Sequence, residues 1–303
     1  MSLFFLTPGY AQELPPIFDQ VPPQLLPATS LARLPQNTFL ESIVATPEGD
    51  LFITNHEAGK ILRLNSQGSL SIWATLAGKA TGLVRTEDQS LLVTGVDPTQ
   101  TQMVLRVDST GQVTTLLKMP EAQFLNGITH LAGSRYLMAD SYRGAIWLFD
   151  ASQATAEIWL EHPLLARPDS NNPIPAVNGL KIFNNILYAS NTAQQRLLKI
   201  PVGSDGKAGD PQIFVERINL DDFALDSDGN LYGATHIYNS VIKVTPQGSI
   251  TIVGQPTVGS TAVAFGETPA DSQSLYVVTN GGMFLPPPTG VEEAQVIRLQ
   301  LDP

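Results

Sequence analysis

Residues 49–55 read GDLFITN, and five later stretches repeat the pattern: QSLLVTG (89–95), SRYLMAD (134–140), NNILYAS (184–190), GNLYGAT (229–235) and QSLYVVT (273–279). Each is short, rich in β-branched or aromatic residues and bounded by turn formers, which is strand character with no helical period. A third apolar segment follows each one: KILRLN from Lys60, VLRVD from Val104, AIWLFD from Ala145, LLKIP from Leu197, VIKVT from Val241 and VIRLQ from Val296. A more polar fourth segment closes five of the repeats, as in SIWATL (71–76) and ITIVGQ (250–255). The residues that open the first segments are Glu41, Thr81, Asn126, Asn178, Asp221 and Thr261, spaced by 40 to 52 residues. Four-stranded propeller blades have about this period. The sixth repeat lacks a fourth segment, and TSLARLP (29–35) is the strand that would complete it and leave no open sheet edge at the seam. The expected fold is all-β, a six-bladed β-propeller of four-stranded blades over residues 28–303, closed by an N-terminal strand.

Composition agrees with a large core and narrows the chemistry. Of 303 residues, 43% are hydrophobic and 15% charged, and Gly 24 with Pro 23 supply the turns that so many strands need. The formal net charge of −11 opposes the electrostatic footprint of a nucleic-acid or anionic-membrane binder. Without cysteine there are no disulfides, thiolate nucleophiles or zinc fingers, so any metal must be held by oxygen or imidazole. Residues 1–27 are expected to be signal-like or disordered. Leu3 to Leu6 form a short apolar run, and Gly9-Tyr10-Ala11 has the small-x-small form of a signal-peptidase site. A cleaved signal places the protein outside the cytoplasm, in the periplasm or secreted; otherwise it is cytoplasmic. Beyond that segment no stretch has enough consecutive apolar residues to insert in a bilayer.

In a propeller, the residues that open first strands and those that end second strands ring one face of the central axis. The opening set contains two carboxylates, Glu41 and Asp221, and two carboxamides, Asn126 and Asn178. Converging like charges and unsatisfied dipoles call for a cation between them, and divalent ions take oxygen ligands of this kind. Asn-Gly and Asp-Asp are also ordinary turn dipeptides, but turn propensity does not explain Glu41. The outer ring adds Asn55, His56, Asp140, Ser141, Asn191, Thr235, His236 and Asn280. Two of the chain's four histidines, His56 and His236, fall at the same repeat position, where a base or hydrogen-bond donor would overlook the funnel. Phe124, Tyr142, Met283 and Phe284 could give the substrate an apolar wall, or simply pack blade edges.

With Glu41, the Asn126 of FLNG, the Asn178 of AVNG and the Asp221 of LDDF in hand, the chain resembles the senescence marker protein (regucalcin) and gluconolactonase family. The resemblance implies a six-bladed propeller that hydrolyses lactones with an axial divalent metal. It implies Glu41, Asn178 and Asp221 as direct ligands, with Asn126 beside the metal or on the substrate, and Ca2+ as the ion, with Zn2+, Mg2+ or Mn2+ as alternatives. Where sugar lactonases of that family place an Arg, this chain has Phe124, and a neutral ring cannot replace a guanidinium's donors. The usual Asp-Gly of the fifth blade is here Asp221-Asp222.

The expectation is therefore a metal-dependent esterase acting as a monomer on a small lactone or ester, without nucleic-acid partners. A metal-bound water attacks the carbonyl, and Asp221 or His236 accepts the proton. Phe124, Asn126, Asp140, Asn191, His56 and Tyr142 would contact substrate. No Gly-x-Ser-x-Gly elbow occurs, which disfavours a serine hydrolase. Two alternatives share the fold: a calcium-stabilised binding propeller of NHL type, and a strictosidine synthase-like protein without metal.

Overall fold

Twenty-four strands form six four-stranded antiparallel sheets in the computed structural model, which describes residues 23–301. Five sheets take their strands in chain order, each starting at the axis. The innermost strands are Leu40–Ala45, Lys79–Arg85, Leu125–Ala132, Val177–Phe183, Phe223–Leu225 and Ser260–Phe265. The second strands run Leu51–Asn55, Leu91–Val96, Arg135–Asp140, Ile186–Asn191, Leu231–Ala234 and Ser274–Thr279. The fold is the six-bladed β-propeller that the repeat predicts.

The last sheet is assembled from both ends of the chain. Ala28–Gln36 pairs antiparallel with Glu293–Gln300, in register Thr29 to Arg298 and Arg33 to Gln295. Just before it, the Gln24 and Leu26 N–H groups donate to Ile252 and Val253 on the outer strand of blade five. The expected signal-like motifs in residues 1–22 lie outside the described residues. Among those described, no helix is long and apolar enough to cross a membrane.

No blade buries its apolar faces alone. Ile43, Ile53 and Leu62 of blade one pack against Tyr276, Val278 and Val296 of blade six. Ile61 and Ala74 of blade one pack against Leu83, Val93 and Leu105 of blade two. Burial at about 25 cal/mol per Å² of apolar surface therefore stabilises the ring as a whole.

The inner strands begin with a shared irregularity that decides what lines the axis. Register slips between Leu40 and Ile43, Ala80 and Leu83, Leu125 and Ile128, and Val177 and Leu180 put Glu41, Thr81, Asn126 and Asn178 inside β-bulges. A bulge turns its side chains out of the alternation that would otherwise bury them between sheets. Hydroxyls on the second strands hold these bulges. Thr94 Oγ1 accepts from the Gly82 N–H at 2.8 Å and donates to the Asn126 carbonyl of the next blade at 2.7 Å. Thr54 does the same between Ser42 and Thr81, and Ser190 between Gly179 and Asp221.

This arrangement also explains the glycines after the two asparagines, read from sequence as turn formers. Gly127 and Gly179 lie within inner strands. A Cβ on Gly127 would lie 2.4 Å from the Asn178 carbonyl oxygen, and one on Gly179 2.9 Å from the Asp221 carbonyl oxygen. Neighbouring inner strands touch backbone to backbone, and only glycine fits between them.

Candidate functional site

Three of the predicted residues meet directly at the axis. The Nδ2 of Asn178 donates to Asp221 Oδ1 at 2.6 Å, and His236 Nδ1 lies 3.1 Å from Asp221 Oδ2. Both Asn178 and Asp221 are buried. Glu41, in the bulge of the innermost strand of blade one, is close enough to feel the charges of Asp221 and Asp222. One of its carboxylate oxygens, Oε2, is buried and has no hydrogen-bond partner. Burial, then the charges of Asp221 and Asp222, push the Glu41 carboxyl well above the usual carboxylate range. Asn126, also buried, adjoins the group through the contact of Gly127 with the Asn178 carbonyl. The additional Asp222 carries its own counter-ion, Lys181, at 2.6 Å.

The orphaned oxygen of Glu41 lies where burial and neighbouring acids disfavour its ionised form, and its donor chemistry suits a hard cation that would offset that cost. Glu41 and Asp221 offer carboxylate oxygens. Asn178 spends its Nδ2 on Asp221 and on Thr192 at 3.2 Å, which leaves Oδ1 as the end it can offer a metal. Among the described residues no cluster of three or more His, Asp or Glu side chains is set out as a ligand group. Carboxamides would have to complete the site.

The tautomer of His236 follows from its neighbours. Asn280 Oδ1 accepts from the Gly282 and Met283 N–H groups at 2.9 and 3.2 Å, so its Nδ2 is what meets His236 Nε2 at 2.8 Å. Nε2 must then accept, and Nδ1 carries the hydrogen that it donates to Asp221. Both ring nitrogens are engaged and no free lone pair remains for a base. Of the two residues proposed from sequence as proton acceptor, His236 holds Asp221 through Nδ1 and meets Asn280 through Nε2. Asn280, fully buried and read only as part of the outer ring, is the partner that fixes this tautomer.

Two expected substrate contacts are instead part of the scaffold. Asp140 is fully buried, and its oxygens accept from the N–H groups of Gln123, Phe124 and Arg143 and from Trp147 Nε1. Asn191, equally buried, donates to the Leu164 and Ala166 carbonyls and accepts from the Gln194 N–H. An Asx side chain at a strand end satisfies the loop beyond it, and both residues are fully buried in doing so.

The other expected contacts form two groups of rings. Phe124 and Tyr142 lie 5.0 Å apart, with the Arg167 guanidinium 4.6 Å above Tyr142. Arg167 therefore stands near the place that Phe124 left without a cation, but it donates to the Asn172 and Tyr142 carbonyls. His56 donates from Nδ1 to the Ala80 carbonyl at 2.8 Å, and burial lowers its pKa. Its ring lies 5.2 Å from that of Phe39, which lies 6.4 Å from His236 and 5.4 Å from Phe284. Phe39, two residues before Glu41, was missed in the sequence because its place reads as core. A separate open cavity of about 580 Å3, lined by residues such as Leu164, Arg167, Gln194 and Arg196, shares no residue with the Asp221 centre.

Comparison with known proteins agrees with this architecture. Residues 93–281 match the family described as SMP-30/Gluconolactonase/LRE-like region. A calcium-binding protein, regucalcin, from Agrobacterium tumefaciens superposes with a TM-score of 0.71 at 15% identity, over 91% of this chain and 96% of that one. A gluconolactonase from Xanthomonas campestris gives 0.69 at 14% identity, over 91% and 90%. A protein of Phoma sp. that carries the provisional description of a hetero-Diels-Alderase is 24% identical, over 84% of this chain and 87% of its own.

Proposed function

The chain belongs to the SMP-30/gluconolactonase/LRE-like family, and on that premise we propose that it hydrolyses a cyclic ester at the axial end of its propeller. The observation that carries this reading is Asp221, a buried carboxylate held by Asn178 and His236 beside the unpartnered oxygen of Glu41. Glu41, Asp221, Asn178 and Asn126 would hold a divalent cation, most simply Ca2+, which supplies Lewis acidity toward an ester carbonyl. The protein's own part is to orient and to move a proton. Asp221 accepts the proton of the attacking water, whose oxygen bonds to the carbonyl carbon. The ring C–O bond then breaks, and the alkoxide leaves with that proton as an alcohol. His236 donates its Nδ1 hydrogen to Asp221 throughout and keeps the carboxylate aimed, while Asn280 blocks the other tautomer. Burial of these groups strengthens each of their interactions. The test is acid release from a panel of γ- and δ-lactones by chelator-treated protein with Ca2+, Zn2+, Mg2+ or Mn2+ returned. Absence of turnover on every lactone with every ion overturns the reading.

A second reading draws on the ring cluster of Phe39, Phe284 and His236 and on the description of the Phoma relative. An apolar cleft that holds a planar diene against its partner accelerates a cycloaddition by orientation alone. Such an activity would survive Asp221→Asn, which hydrolysis would not.

A further inference from the structure

Phe284 is the one exposed phenylalanine among the described residues, at 53%, and its loop is tied down at several points. The loop closes on itself through the Glu292 N–H to the Gly281 carbonyl at 2.8 Å, and the Gly290 N–H to the Pro287 carbonyl at 2.8 Å. Pro286, Pro287 and Pro288 stiffen its middle. Asn280 ties its base to His236. Its contacts with Phe39 and His236 use only part of the ring and leave just over half of the residue exposed beside the buried carboxylate centre, a surface that a bound apolar group would cover.

What binds there is selected by the surroundings of that ring. Phe284 meets Phe39 at 5.4 Å and His236 at 5.4 Å, both edge to face, and Phe39 meets His56 at 5.2 Å. The imidazoles add faces but few polar ends. His236 has both nitrogens engaged, and the Nδ1 of His56 is spent on the Ala80 carbonyl. The hydroxyls of a sugar lactone would lose water against these rings with few donors or acceptors to replace it. A flat unsaturated ring would find the offset and edge-on partners that aromatic groups prefer.

We infer that Phe284, backed by the buried Phe39, forms a subsite for a planar, unsaturated or aryl group of the substrate, which makes the substrate an apolar ring-bearing ester rather than a polyhydroxylated lactone. His236 joins the two halves of the site, with Nδ1 on Asp221 and its ring against Phe284. The inference rests on the hydrolase reading for its kinetic test, but not for its binding test.

The experiment compares wild type with Phe284→Ala, whose exposed position spares the fold, on dihydrocoumarin and on δ-valerolactone. The expected loss of kcat/KM on dihydrocoumarin, carried mainly by KM, is at least about fivefold greater than the loss on δ-valerolactone, as for removal of an aromatic partner. Equal losses on the two lactones overturn the subsite. If neither lactone is hydrolysed, the hydrolase reading fails and the subsite is judged by calorimetric binding of coumarin. Binding by wild type that weakens about fivefold or more in Phe284→Ala upholds it. Absence of coumarin binding, or equal affinity in both proteins, overturns it.

Discussion

His236 donates from Nδ1 to Asp221, 3.1 Å away, because Asn280 occupies its other nitrogen. In the proposed hydrolysis this makes the histidine a support for the carboxylate, with Asp221 as the proton acceptor. His236→Ala should lower kcat by about 10- to 100-fold on any hydrolysed lactone and leave a measurable remainder, whereas Asp221→Asn should remove turnover. Steady-state kinetics of both variants decide the matter. Equal and complete loss in the two would make His236 the base.

Glu41 carries the unpartnered oxygen, and its replacement should act oppositely on the metal-free and metal-loaded protein. In Glu41→Gln, repulsion from Asp221 and Asp222 is relieved, so the chelated variant should be more stable than chelated wild type by about 1 kcal/mol or more. The rise in Tm that wild type gains from Ca2+ should shrink or vanish. Thermal unfolding with chelator and with excess Ca2+ measures both effects.

His56 gives a pH dependence with a definite sign. Burial lowers its pKa in the folded protein, so between that value and its unfolded value near 6.5 the unfolded chain binds more protons. Its contribution to stability is therefore intact above about pH 6.5 and is lost as pH falls through the folded pKa. His56→Gln should flatten this slope relative to wild type. Urea unfolding of both proteins at a series of pH values from about 5 to 8 tests it.

Thr94 tests the hydroxyl bridges between blades. Thr94→Val leaves the Gly82 N–H and the Asn126 carbonyl unpaired in a buried place, at a cost of about 1–3 kcal/mol. A Tm lower by several degrees is expected, together with weaker Ca2+ binding, since Asn126 loses its anchor. An unchanged Tm would show that other groups satisfy these atoms.

The propeller was legible because one pattern recurs six times, and the period that places Glu41, Asn178 and Asp221 on the axis also fixes the blades. What could not be read arises from contacts that no period encodes. Asn280 and His236 belong to different blades and meet only when blades five and six pack together. Asp140 and Asn191 hold the same repeat position as funnel residues, but loops unique to their blades supply N–H groups and carbonyls that consume them. Gly127 and Gly179 look like turn formers in sequence, yet they answer to a neighbouring backbone. Phe39 is 8% exposed and reads as core until Phe284 is seen above it.

The central claim is that the Asp221 centre hydrolyses a cyclic ester with a cation held by Glu41, Asp221 and their carboxamide neighbours. Lactone turnover by wild type and Asp221→Ala, each stripped by chelator and titrated with Ca2+, tests it most directly. The account predicts that stripped wild type is inactive and recovers with the ion, while Asp221→Ala neither binds the ion in calorimetry nor turns over. Full turnover by stripped wild type, or by Asp221→Ala, would contradict it.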